Sequence, residues 1–143
     1  MLLGMSSRPY RKPLPVPTEF SRPFWEGTRR HELLLQRCRR CDRCRWTPQP
    51  ACPWCLSEEY AWSPASGRGA LYSWTAVHRP PDPVAFAEDV PYIVAIVKLE
   101  EGPYMLTNLV DCPQEEARAG MPVQVVFERA TEEITLYRFR PRT

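Results

Sequence analysis

The chain has 143 residues, 43% apolar and 25% charged, which excludes a disordered tail and bounds it to one ordinary domain or two small modules. A formal net charge of +2 hides a split: residues 1–45 carry eleven Arg/Lys against four Asp/Glu, and residues 46–143 carry eight against thirteen. The acidic later part is a poor match for a phosphate backbone, and no apolar run is long enough to read as a secretion signal or a membrane span. A cytoplasmic protein is therefore expected, in a compartment where stable disulfides are uncommon.

Residues 1–17, "MLLGMSSRPYRKPLPVP", are rich in Pro and Arg and lack periodicity, which suggests an extended arm. Residues 18–31 suit a short helix, with Ser21 placed to cap it and Pro23 tolerated in its first turn. Phe20, Phe24 and Trp25 give that helix an apolar edge too large for three turns to bury alone, so the edge must dock on the body or on a partner. "ELLLQRC" then reads as a strand leading into the cysteines, and helix and cysteines together form a unit over residues 18–62.

From residue 63 the pattern becomes all-β. Five strands are expected over 69–78, 91–100, 104–110, 121–129 and 133–140, with a hairpin turn at 100–102 and a turn at Gly120. Strict alternation in the first would put Leu71, Ser73, Thr75 and Val77 on one face and Tyr72, Trp74 and Ala76 on the other. Five strands in so short a span, with a long connection after the first, fit a small closed barrel of the OB type; an open sheet is the alternative.

Cys38-x2-Cys41 and Cys52-x2-Cys55 stand ten residues apart. Two such pairs present thiolates on two tight turns that together make a tetrahedral four-sulfur site, and zinc is the expected ion. Four thiolates leave no open position for water or substrate, so the metal's role is structural. A thioredoxin-like pair would need one CxxC in a βαβ unit, which is not present. Cys41-x2-Cys44 is a rival pair. Cys38 is preferred because it follows a strand, and because Asp42 then occupies a knuckle position where a left-handed residue is needed. Cys44 is then a free thiol, and Cys112 a small apolar residue.

No complete catalytic constellation emerges. His31 lies at a helix end among arginines, His78 has no nucleophile or acid at a suggestive spacing, and the acid pairs fall in turns. Tyr72 and Trp74, with the Tyr137–Arg140 alternation, could instead serve a single-stranded nucleic acid or another polyanion, a reading that the acidic charge of this half disfavours.

The order "PFWEG", "LLLQRCRRC", "PQPACPWC", "SGRGALYSWTAVH", "PYIVAIVKLEEG", "NLVD" and "GMPVQVVFE" resembles the zinc-ribbon plus OB-fold proteins long described as a domain of unknown function and associated with acyl-CoA metabolism. The resemblance runs from about residue 18 to about residue 140. It departs from the family at Asp42, where glycine is usual, and at Cys44. It implies a mostly β protein with an N-terminal helix, a rubredoxin-like zinc ribbon and a five-stranded OB barrel. It also implies an accessory subunit without catalytic residues of its own. The partners of such subunits are thiolase-fold enzymes acting as aldolases or acyltransferases on CoA thioesters, or hot-dog enoyl-CoA hydratases, including those of steroid side-chain degradation. The thiolase-fold partner is preferred here, in a heterotetramer with two copies of this chain. Phe20, Phe24, Trp25 and Trp54 are the expected partner contacts.

Overall fold

The computed structural model describes residues 9–143 and the backbone of residues 2–3. Much of the predicted arm, residues 1 and 4–8, lies outside the described residues. Leu2–Leu3 form a short strand β1 that runs parallel to a barrel strand, and residues 9–17 have no regular structure. Lys12 ties that stretch to the barrel's long loop through Asp89 at 3.2 Å.

Helix α1 is shorter than expected, Arg22–Arg29. Ser21 is its N-cap residue but does not cap with its side chain. Instead the Ser21 hydroxyl accepts from the Thr18 N–H at 2.8 Å, while the Thr18 hydroxyl accepts from the Ser21 N–H at 3.2 Å. The two hydroxyls thus brace the turn ahead of the helix.

A three-stranded sheet follows, in the order β3–β2–β4, built from β2 (Leu34–Cys38), β3 (Cys44–Arg45) and β4 (Tyr60–Pro64). Only β2 was expected. The other two exist through their antiparallel pairing to β2, which reaches from Leu34↔Pro64 to Arg37↔Cys44.

The remaining strands are β5 (Arg68–Val77), β6 (Tyr92–Leu99), β7 (Tyr104–Leu109), β8 (Pro122–Arg129) and β9 (Thr135–Pro141). Each lies within two residues of its expected span. They close in the order β5–β6–β7–β9–β8–β5, with the parallel contact Leu109↔Phe139 sealing one seam. This is the closed five-stranded barrel of the OB type, which leaves no free edge among its five strands. Its interior is filled by side chains including Leu71, Val97, Met105, Val123 and Phe139, all fully buried.

Strict alternation fails in β5. A bulge between Leu71 and Ser73 leaves Leu71 opposite Val97 and Trp74 opposite Ala95, so both point toward the core. An extra residue in one strand flips every side chain beyond it, which is why the predicted faces do not hold. Tyr72 is left at the surface and does not share a face with Trp74. Gly67 and Gly69 prepare this strand. Gly67 has φ of +75°, and a Cβ on Gly69 would stand 2.5 Å from the Lys98 carbonyl oxygen, so β5 and β6 could not approach.

Ribbon and barrel are joined by one core. Leu33 and Leu35 pack into the same cluster as the barrel's interior residues, and the Ala65 N–H donates to the Leu33 carbonyl at 2.7 Å. No helix among the described residues is long and apolar enough to cross a membrane.

Candidate metal centre

The two CxxC turns are built alike. In the first, the Asp42 N–H donates to the Cys38 carbonyl at 3.0 Å, and the Cys38 N–H to the Arg43 carbonyl at 2.9 Å. In the second, Leu56 donates to Cys52 at 2.9 Å and Cys52 to Ser57 at 2.8 Å. The residue after each second cysteine is left-handed, with φ of 65° at Asp42 and 64° at Leu56. The expected role of Asp42 is thus observed. The same conformation at Leu56 was not foreseen, because leucine carries no preference for it.

These turns bring together the four expected sulfurs. Cys38, Cys41, Cys52 and Cys55 place their Sγ atoms within 4.8 Å of one another, with 3.6 Å from Cys38 to Cys55 and 3.6 Å from Cys41 to Cys52. Sulfurs around one zinc at the usual bond length stand roughly 3.8 Å apart, so the arrangement is arranged to bind such an ion. Cys44 lies outside the group, on β3 opposite Arg37. Cys112 is half-buried beside the barrel core, as a small apolar residue would be.

The electrostatics also suit a cation. The N–H groups of Cys41 and Arg40 pull the Cys38 thiol down to about 6 against the opposing effect of burial. At Cys52 burial pushes the thiol up, but the N–H groups of Cys55 and Trp54 and the neighbouring sulfurs outweigh it and leave the value lowered. Cys41 goes the other way, to about 11. The Arg43 N–H pulls it down, yet burial and the sulfurs around it prevail. Thiolates this close repel one another, and an ion between them relieves that repulsion.

The expected partner contacts separate. Phe24 is fully buried, which corrects its reading as a surface contact. Its ring lies 4.4 Å from Trp46 of the ribbon, 5.0 Å from Trp25 and 5.5 Å from Tyr137 of the barrel. The helix edge therefore docks on the chain's own body, and the half-buried Trp25 packs with it. Phe20 and Trp54 remain exposed. His31 is exposed and stacks on Phe127 at 5.2 Å.

Comparison with known proteins agrees with this architecture. Residues 25–61 match the rubredoxin-like zinc ribbon domain of ChsH2, and residues 62–128 match the ChsH2 C-terminal OB-fold domain. A DUF35 domain-containing scaffold protein of Methanocaldococcus jannaschii is 34% identical over 119 residues, covering 78% of this chain and 83% of that protein. A probable enoyl-CoA hydratase alpha subunit of Thermomonospora curvata is 40% identical over 119 residues. That match covers 82% of this chain, but this chain spans only 36% of the hydratase subunit's length. Among solved structures, a chain of the Ltp2-ChsH2(DUF35) aldolase superposes with a TM-score of 0.80 at 37% identity, covering 90% of this chain and 98% of that one. With its ribbon, its barrel and these relatives, the chain belongs to the DUF35 family.

Proposed function

We propose that this protein is a non-catalytic accessory subunit that binds and supports a thiolase-fold enzyme making or breaking C–C bonds of CoA thioesters. The observation that carries the reading is the likeness to the aldolase chain, which extends over 98% of that chain's length. The molecule's own chemistry supports it. Zinc would sit between Cys38, Cys41, Cys52 and Cys55, where four thiolates close its coordination and its contribution is to folding. In this reading the reacting groups are assigned to the partner, since four thiolates leave the ion no open position for a substrate.

A hydratase partner is the second reading. It is favoured by the likeness to the Thermomonospora subunit and to a 3-oxo-4,17-pregnadiene-20-carboxyl-CoA hydratase alpha subunit of Mycobacterium tuberculosis, 35% identical over 104 residues. This chain covers about a third of each of those proteins.

Affinity purification of the tagged chain from its host, with co-eluting proteins identified and weighed, tests both. A stoichiometric thiolase-like protein, whose aldol cleavage of acyl-CoA esters drops when this chain is omitted, supports the first reading. A hydratase-like protein supports the second. A chain that elutes alone, or with nucleic acid that washes off in salt, removes both.

A further inference from the structure

Phe24 is enclosed, and of the exposed large aromatics Phe20, Trp54, Tyr72 and Tyr104 the last three gather in one place. Trp54 is 51% exposed at the second knuckle, Tyr104 47% and Leu106 60% on β7, and Tyr72 59% at the β5 bulge. Trp54 and Tyr104 line one groove of about 690 Å³ between ribbon and barrel, and the Tyr104 ring meets Tyr72 edge-on at 4.9 Å. Single exposed apolar residues are ordinary, but a contiguous strip of large ones marks an interaction surface.

Cations border this strip. The Arg43 guanidinium lies over the Trp54 ring at 5.3 Å, and the Lys98 ammonium lies 5.7 Å from the Tyr104 ring centre. Neither has a carboxylate within ion-pair distance among the described residues. Arg45 also lines the groove and is 1% exposed. Its Nε donates to the Gln36 Oε1 at 2.9 Å and its Nη2 to the Gln49 carbonyl at 3.0 Å, while its Nη1 has no partner. A buried guanidinium without a carboxylate is costly, and negative charge brought into the adjoining groove offsets that cost. Of the groove's own acids, Asp42 is paired with Arg37, whereas Glu101 accepts from the Ser66 N–H at 2.9 Å through Oε2 only and its buried Oε1 has no partner.

We propose that the groove and its aromatic strip dock an acidic segment of the partner subunit. A carboxylate of that segment lies beside Arg43, within the field of Arg45, and a neighbouring apolar side chain covers Tyr104 and Tyr72. Arg, Trp and Tyr are the residue types that anchor interfaces, and the groove lining, with Arg37, Arg43 and Arg45 against Asp42 and Glu101, is net positive. The inference rests on the accessory-subunit reading and names the surface it uses.

The test titrates the zinc-loaded full chain with the capped peptide acetyl-Asp-Phe-Glu-amide while the tryptophan indole and arginine side-chain NMR signals are followed. The Trp54 indole and Arg43 signals should shift and saturate. The apparent Kd should rise about tenfold in Arg43→Glu, the scale of one interface anchor, and should also rise in about 0.5 M salt. Phe20→Ala should leave it unchanged. Equal binding of the neutral acetyl-Asn-Phe-Gln-amide, indifference to Arg43→Glu, or tighter competition by a ten-nucleotide oligo-dT would each overturn the proposal. The accessory-subunit reading fails separately, if no enzyme co-purifies. In a complex that does form, Trp54→Ala with full zinc content should weaken partner affinity about tenfold, and unchanged affinity would overturn the groove alone.

Discussion

Ribbon and barrel occupy one chain and are held by different forces. The barrel closes its hydrogen-bond ladder on itself and fills the space inside with side chains such as Leu71, Val97, Val123 and Phe139. The ribbon's strands are five, two and five residues long, and its centre is a cluster of thiols. It adds Leu33 and Leu35 to the shared core, but apart from Trp46, Cys44 and the enclosed Arg45 the Pro- and Arg-rich stretch between its knuckles has little to bury. Where apolar residues alternate, packing suffices; where they do not, metal–sulfur bonds substitute. Ribbon stability should therefore follow the metal, and barrel stability should follow packing.

Removing the metal is the strongest way to separate them. A structural zinc contributes on the order of 10–16 kcal/mol in small zinc modules, far more than the ribbon's packing can replace. Chelation, or Cys52→Ser, should abolish amide-exchange protection over residues 33–62 while protection in β5–β9 largely survives. Acid should act in the same direction, because protons compete with the ion for the thiolates. A Cys52→Ser protein that keeps a full zinc equivalent would remove that cysteine from the ligand set.

The next largest effect falls on the joint. Phe24 comes from the helix, Trp46 from the ribbon and Tyr137 from the barrel, and their rings meet at 4.4 to 5.8 Å. Phe24→Ala should cost about 3–5 kcal/mol, as buried aromatic truncations do. It should also split one thermal transition into two, since the three segments lose their common contact. A single transition with the midpoint unchanged would show that Phe24 does not couple them.

The parts legible in the sequence are those whose signal is local. CxxC spacing exposed the metal ligands, and alternation bounded by glycine and proline exposed all five barrel strands. What stayed hidden depends on distant partners. β3 and β4 are strands only because β2 lies between them. The β5 bulge is a register event set by β6, so Trp74 looked outward and points in. Phe24 was visible as an apolar residue needing cover, yet nothing local says whether the cover is the chain itself or another protein. The same limit applies to Arg45, which is charged and reads as surface. It is enclosed by Gln36, Gln49 and Tyr60, all far from it in character and two of them distant in sequence.

A smaller effect isolates the barrel side. Burial pushes the Tyr137 phenol up to about 12, and its hydroxyl donates to the Leu106 carbonyl at 3.1 Å. A raised value means that the folded state keeps its proton after the unfolded chain has lost it. Stability is thus complete below pH 10 and falls between about pH 10 and 12, by about 2–3 kcal/mol at most. Tyr137→Phe should remove this alkaline loss at the cost of one hydrogen bond, about 1 kcal/mol at neutral pH. Denaturant midpoints measured across that pH range, with zinc content constant, would distinguish the loss from metal chemistry.

The smallest effect tests how far the ribbon depends on anything besides its metal. Asp42 takes the left-handed position after Cys41 and binds Arg37 through two contacts of 2.7 Å. The carboxylate and guanidinium are both well exposed, so water and salt screen the pair strongly. Asp42→Gly should relieve the backbone and lose the ion pair, two small changes of opposite sign. Asp42→Asn keeps a residue that tolerates the left-handed region and removes only the charge. At low salt Asp42→Asn should bind zinc slightly more weakly than the parent, and at high salt the two should agree, while Asp42→Gly stays close to the parent in both. If Asp42→Asn instead releases the metal in high salt as well, the Asp42–Arg37 contacts hold the knuckle's shape, and the ribbon is not stabilised by its metal alone.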